Sequence, residues 1–182
     1  MTSVARFYVL IPTDLGMSGA VWTAAGRVRR FERIFLPRRE DVESLIRREY
    51  PDAVPGKAGG EEASIRKMLS GQTPKFDLNL LAFERLADFH AAVLRAQVRI
   101  PRGFVTTYGR LATAVGSPGA ARAVGRALAT NPFPPIIPRH RTLRADGSLG
   151  GFGGGLALKR TLLEIEGVRF DRAGRVEARY IL

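Results

Sequence analysis

The chain has no cysteine among its 182 residues. That absence removes disulfides, thiolate nucleophiles and cysteine-type zinc sites together. Histidine is nearly absent too: only His90 and His140 are present, too few for a histidine metal cluster, and neither a metal nor a cofactor is expected. No apolar run approaches the roughly 18 residues that a membrane-spanning helix needs, so no membrane partner is expected. The opening Met1-Thr2-Ser3-Val4-Ala5-Arg6-Phe7 lacks the apolar region of a secretory signal. An intracellular location is therefore expected, in the cytoplasm or with the nucleoid or nucleus. Acidic residues are scarce as well. Lys and Arg number 29 against 17 Asp and Glu, a formal charge of +12, which favours a polyanionic partner through phosphate contacts and counterion release. A GC-rich genome would explain arginine over lysine, but not the deficit of acids.

What is there reads as a globular chain. Hydrophobic residues make up 45%, enough to bury a core and to exclude disorder. Ala5 to Ile11 reads as a strand. Val21 to Ala24 and Val28 to Phe35 read as a hairpin around Ala25-Gly26. Arg38 to Tyr50 reads as a helix with Val42, Leu45 and Ile46 on one face. Pro51 to Gly60 reads as a loop and Glu61 to Ser70 as a short helix. Leu81 to Val98 carries Phe83, Leu86, Phe89, Val93 and Val98 at helical spacing and predicts a long core-facing helix. The expected architecture is α/β, of the α+β kind. A small strand-rich domain over residues 1–79 precedes a mainly helical domain over 80–182.

The second half carries a helix-turn-helix pattern. Thr107 is placed to cap a first short helix that ends at Gly116. Ser117-Pro118 supplies an N-cap and a first-turn proline for a second helix running to about Thr130. On that helix Arg122 and Arg126 share a face among small residues, Ala123 included, which would let it lie close to DNA. Val168 to Leu182 alternates around Ala173-Gly174, as a terminal hairpin would.

From about Phe89 to Gly167 the chain resembles the O6-alkylguanine-DNA alkyltransferase family. The resemblance rests on several motifs in the family's order: Ile100-Pro101-Arg102-Gly103 with Thr106-Thr107-Tyr108-Gly109-Arg110; the Ser117 to Ala127 segment; Asn131-Pro132; an apolar strand leading to Pro138-Arg139-His140-Arg141; and the glycine-rich loop Gly147 to Gly155 with a last helix ending in Glu166-Gly167. The first 85 or so residues match less closely, although their strand-rich start suits the family's smaller N-terminal domain. Family members take the alkyl group onto a cysteine in a Pro-Cys-His-Arg tetrapeptide, and here that cysteine is Arg139.

The resemblance assigns roles by position. His140 and Glu166 fall on the relay that activates the cysteine through a water. Asn131 falls on the hinge after the recognition helix, and Pro138 on the pocket wall. Arg122 matches the arginine that fills the space left by a flipped nucleotide, and Tyr108 the residue beside its 3′ phosphate. Ser117, Ala123 and Arg126 belong to the DNA-facing surface. Phe152 replaces a usual tyrosine in the lesion pocket, with Gly153 and Gly154 beside it. A guanidinium has no lone pair to attack an alkyl carbon, so transfer at Arg139 is excluded.

The implied function is a non-repairing binder or sensor of O6-alkylguanine in double-stranded DNA, acting as a monomer and handing lesions to nucleotide excision repair proteins. Cysteine-lacking members that do so usually carry tryptophan or alanine at this position and often lack the N-terminal domain, so this chain differs on both points. Two alternatives stand beside that reading: an alkyltransferase whose cysteine has been substituted, and a non-specific architectural DNA binder. Arg139 itself could read the base, add a phosphate contact, or pair with Glu166 and plug the pocket. The plug is the expected arrangement.

Overall fold

A computed structural model describes residues 4–26 and 28–182; Met1-Thr2-Ser3, part of the start read above for a signal, lies outside them. The chain forms two compact units. One runs up to Arg85 and includes Pro132–Ile136, and the other comprises Leu86–Asn131 and Ile137–Leu182. The architecture is mixed α/β, with a sheet in the first unit and helices predominating in the second.

In the first unit, β1 (Ala5–Thr13), β2 (Gly16–Ala25) and β3 (Val28–Phe35) form an antiparallel meander. A short β4 (Val54–Pro55) adds in parallel to β1, within the stretch expected as a loop. The expected hairpin is present, but β2 starts at Gly16, five residues before Val21, because Thr13 and Gly16 already pair across a two-residue turn. The pleat sorts the side chains. Phe7 pairs with Trp22 and Trp22 with Phe31, and their rings pack at 5.8 and 5.9 Å. Tyr8 and Val21 point the other way, into a core with Phe35, Val42, Leu45 and Ile46.

Those last three residues lie on α1 (Val42–Glu49), as their spacing predicts. The helix does not begin at Arg38, however. Asp41 accepts from the Ser44 N–H at 2.7 Å and fixes the first turn there. Gly19 permits the close packing of helix on strand: a Cβ there would stand 2.8 Å from Ile46 Cδ1 and 2.9 Å from Val42 Cγ1. After α2 (Gly60–Leu69) the expected long helix fails at its start. Leu81 bridges Phe31 and the Ala82 N–H donates to Phe31 O at 3.0 Å, so these residues extend the sheet's bonding. Phe83 packs on Phe133 at 5.7 Å. The helix proper, α3, spans Asp88–Gln97. Val93 and Leu94 are buried on it, but Phe89, expected in the core stripe, is exposed.

In the second unit, β5 (Thr106–Thr107) leads into α4 (Tyr108–Ala114), and Thr107 Oγ1 accepts from the Arg110 N–H as a cap should. Gly116, at φ 71°, ends the helix. The next helix, α5, spans Ala121–Ala129 rather than starting at Pro118. Ser117 is not its N-cap. Ser117 O accepts from the Ala120 N–H at 3.0 Å across a turn with Pro118 second and Gly119 third at φ 87°. Proline followed by a left-handed glycine makes a type II turn, and that chemistry prevails over the cap signal.

The apolar residues 133–137 are not a strand either. Three prolines there and at 138 lack the N–H a ladder requires, and a 3₁₀ turn at Arg139–Arg141 follows. Only β6 (Thr142–Leu143) pairs, in parallel with β5. Then comes α6 (Leu156–Ile165). The tail forms its hairpin as a single antiparallel bridge, Phe170 to Val176, and Ile181 bridges Val105. Among the described residues no helix is long and apolar enough to cross a membrane.

Candidate functional site

The tetrapeptide Pro138-Arg139-His140-Arg141 is held from both sides by buried amides. Asn131 Nδ2 donates to Ile137 O at 2.9 Å, and Gln97 Nε2 donates to Pro138 O at 2.9 Å. His140 then points inward and is buried, with Nε2 3.0 Å from Glu166 Oε1. Arg141 closes on the same carboxylate with two bonds, Nε to Oε2 at 2.8 Å and one terminal nitrogen to Oε1 at 2.7 Å, while its other terminal nitrogen donates to Ile100 O at 2.7 Å. Burial would raise the Glu166 carboxyl, but the bonds from His140 and Arg141 outweigh it and hold it down at about 2. Burial lowers the His140 imidazole, against the pull of Glu166. The pair is thus an ionised carboxylate and a neutral imidazole whose Nε2 carries the proton it donates.

Arg139 leaves the same turn in the opposite sense. The expected Arg139–Glu166 pair is not formed, because Glu166 takes His140 and Arg141 instead. One terminal nitrogen of Arg139 donates to Leu128 O and to Ala129 O, both at 3.1 Å. These carbonyls end α5, where helix geometry leaves acceptors unfilled and favours a cation. The guanidinium carbon sits 4.4 Å from the centre of the Phe152 ring. A Cβ on Gly153 would stand only 2.8 Å from the other terminal nitrogen.

The side chain therefore lies along one wall of a cavity of about 330 Å³ that Tyr108, Gly125, Gly151 and Phe152 also line. That volume is at the small end of the range for ligand pockets. Gly154 packs tightly behind Phe152, since a Cβ there would meet Leu158 Cδ2 at 2.7 Å and the Phe152 ring at 3.3 Å.

On α5, Arg122 and Arg126 are exposed and four residues apart, while Val124, Ala127 and Leu128 face the interior. Ala123 lies between the two faces, half-buried, and Ser117 sits in the turn before the helix. Tyr108, at the start of α4, brings its hydroxyl beside Gly150, where a Cβ would be 3.2 Å away and where φ is 64°. Burial raises the Tyr108 phenol, against the opposing effect of Arg139 and Arg144. The structure thus brings Tyr108, Arg139, Phe152 and Gly153 to one cavity. Arg122 and Arg126 lie on the helix whose C-terminus borders it, and His140 and Glu166 lie behind Arg139. Among the described residues no cluster of three or more metal-ligating side chains is present.

One participant escaped the sequence reading. Lys159 on α6 is fully buried, and its Nζ donates to Thr142 O at 2.6 Å and to Leu149 O. It ties the two ends of the loop after the tetrapeptide to α6. The available signal was its spacing, three and four residues before the buried Leu162 and Leu163. Burial first, then Arg139 and Arg144, push its ammonium down to about 7.

An unfolded lysine titrates near about 10.4. Between those values the unfolded chain holds a proton that the folded chain lacks. Stability from this group therefore rises with pH from about 7 toward 10, by up to about 1.4 kcal/mol per pH unit. Lys159→Met is expected to remove that rise, as urea unfolding at pH 7 and pH 9 would show. Parallel pH dependence in parent and variant would count against it.

A family model described as the DNA-binding domain of 6-O-methylguanine DNA methyltransferase matches residues 88–168. A methylated-DNA–protein-cysteine methyltransferase of Methanothermobacter thermautotrophicus is 44% identical over 108 residues, which is 59% of this chain and 60% of that protein. The enzyme of the same name from Mycobacterium tuberculosis is 37% identical over 155 residues, 85% of this chain and 86% of that one. The crystal structure of Mycobacterium tuberculosis OGT in complex with DNA aligns with a TM-score of 0.68 at 32% identity, covering 88% of this chain and 92% of that chain.

Proposed function

The chain belongs to the methylated-DNA–protein-cysteine methyltransferase family, and we propose that within it this protein binds duplex DNA and surveys for O6-alkylguanine without removing the alkyl group. The observation that carries the proposal is the Arg139 guanidinium at the pocket wall in a chain without cysteine. The relay partners remain: His140 is neutral, Glu166 is ionised, and they are 3.0 Å apart. At Arg139 they have no acid to activate, because a guanidinium stays protonated and offers no lone pair.

DNA binding is supported by the +12 charge and by the exposed arginines of α5. In this reading Arg122 enters the base stack behind a flipped nucleotide, as a long planar cation can. Arg126 and the turn at Ser117 meet phosphates, and Ala123 allows close approach. Tyr108 crowds the flipped nucleotide's phosphate. Asn131 and Pro138 fix the wall from which Arg139 projects, and Phe152 offers the ring on which a base would stack. Repair proteins that excise the damaged nucleotide would act on the marked site.

A second reading has its own support. Arg139 already stacks on Phe152, in the place a flipped base would take, and such a plugged pocket would leave a DNA binder indifferent to damage. Arg139→Ala tests the two together. Fluorescence titration of the variant with duplexes carrying one O6-methylguanine or none should show tighter binding to the modified duplex than the parent achieves. If the variant discriminates less than the parent, Arg139 is a reader of the base rather than a plug.

A further inference from the structure

We propose that Arg144 is a DNA-binding residue that, with the Tyr108 hydroxyl, seats the backbone phosphate of the flipped nucleotide. The proposal rests on the reading that Tyr108 stands beside that phosphate. Arg144 lies outside the recognition helix, in the turn that follows β6. Its backbone is pinned there: the Arg144 N–H donates to Ser148 O at 3.0 Å, and the Gly147 N–H donates to Arg144 O at 3.1 Å. The stem then packs against Gly150. A Cβ at Gly150 would stand 3.4 Å from Arg144 Cγ, 3.2 Å from Tyr108 Oη and 3.3 Å from Tyr108 Cε2. The arginine stem and the phenol thus meet across one residue, which is glycine at φ 64° and has no side chain to separate them.

The head of the arginine is open to solvent. Arg144 is exposed, and among the described residues its guanidinium has no hydrogen-bond or ion-pair partner. It lines a second cavity, of about 440 Å³, which shares the wall of Gly151 and Phe152 with the first. No carboxylate lines either cavity. Asp146, two residues on, is turned to Ser148, whose N–H and hydroxyl donate to it at 3.0 and 2.7 Å. Burial raises the Tyr108 phenol, and the charges of Arg139 and Arg144 reach it in opposition. The hydroxyl therefore keeps its proton at neutral pH. A neutral O–H and a guanidinium side by side are two donors for one phosphodiester, the second of them charge-assisted. Because the stem is already held, little side-chain freedom is lost when the phosphate arrives.

The test is a methylphosphonate scan. Each duplex carries one O6-methylguanine and one neutral methylphosphonate, placed in turn at every phosphate within two nucleotides of the lesion. The parent should lose about tenfold in affinity when the phosphate 3′ to the lesion is the neutral one. Arg144→Gln should bind the unsubstituted duplex about tenfold more weakly, lose nothing further from that methylphosphonate, and show a log–log salt slope smaller by about 0.9. Arg144→Lys should recover part of the affinity, as a charge without the fork does. Thermal unfolding reports that each variant folds. The same methylphosphonate penalty in parent and Arg144→Gln at every position overturns the proposal, as does an unchanged salt slope. A penalty that Arg144→Gln loses only at some other phosphate overturns the pairing with Tyr108. A fluorescent base analogue separates this proposal from the reading beneath it. If the parent flips the base and Arg144→Gln matches it in scan and slope, only the role of Arg144 falls. If the parent flips no base, the flipped-nucleotide reading falls and the proposal with it.

Discussion

Glu166→Ala is expected to destabilise the fold by about 3–5 kcal/mol, the range for removing one partner of a buried ion pair. The Glu166 side chain is 8% exposed and Arg141 is 14% exposed, so water replaces little of what is lost. Arg141 would keep its bond to Ile100 O but lose both bonds to the carboxylate. His140 would lose the acceptor of its Nε2 proton in a site that disfavours its charged form. Urea unfolding should show the midpoint fall with the slope unchanged. The same carboxylate sets an acid limit. Its folded value of about 2 lies below the ordinary value near 4.3, so its contribution is complete above about pH 4.3 and is lost as pH falls toward 2. A Glu166→Ala variant as stable as the parent at neutral pH would show that the triad does not hold the tetrapeptide.

DNA affinity should be strongly salt-dependent. If six to ten phosphates are neutralised, the affinity falls by about 10³–10⁵ between 50 and 200 mM salt, with a log–log slope of about −0.9 per phosphate. Arg126→Ala should weaken binding to any sequence and flatten the slope by about one contact. Arg122→Ala should act differently, on the same exposed face of α5, by reducing base flipping as reported by a fluorescent base analogue. Unchanged flipping in Arg122→Ala would remove its intercalating role, and an unchanged salt slope in Arg126→Ala would remove its phosphate contact.

Much of the frame was legible from local chemistry. The β2–β3 hairpin, the buried face of α1 and the Thr107 cap follow from alternation, helical spacing and a hydroxyl before a helix. The misreadings come from signals with two meanings. Ser117-Pro118 serves as a cap in one context and, followed by Gly119 at positive φ, as a type II turn in this one. Helical spacing from Leu81 to Val98 was interrupted because the Ala82 N–H found a partner in Phe31, which is distant in sequence. The site was legible as a set of residues but not as an arrangement. The tetrapeptide offers two arginines to the one distant glutamate, Glu166, and no sequence pattern distinguishes Arg139 from Arg141 as its partner. The chain direction through the 3₁₀ turn decides it, sending Arg141 to Glu166 and Arg139 to the end of α5. Lys159 was obscured by its charge, which suggests a surface position until its two carbonyl acceptors are seen.

The central claim is that binding has been kept and transfer lost. Its most direct test is incubation of the protein with duplex DNA carrying a labelled O6-methyl group, followed by separation of protein from DNA. The label is expected to remain on the DNA at every protein concentration. Stoichiometric appearance of the label on the protein would contradict the account.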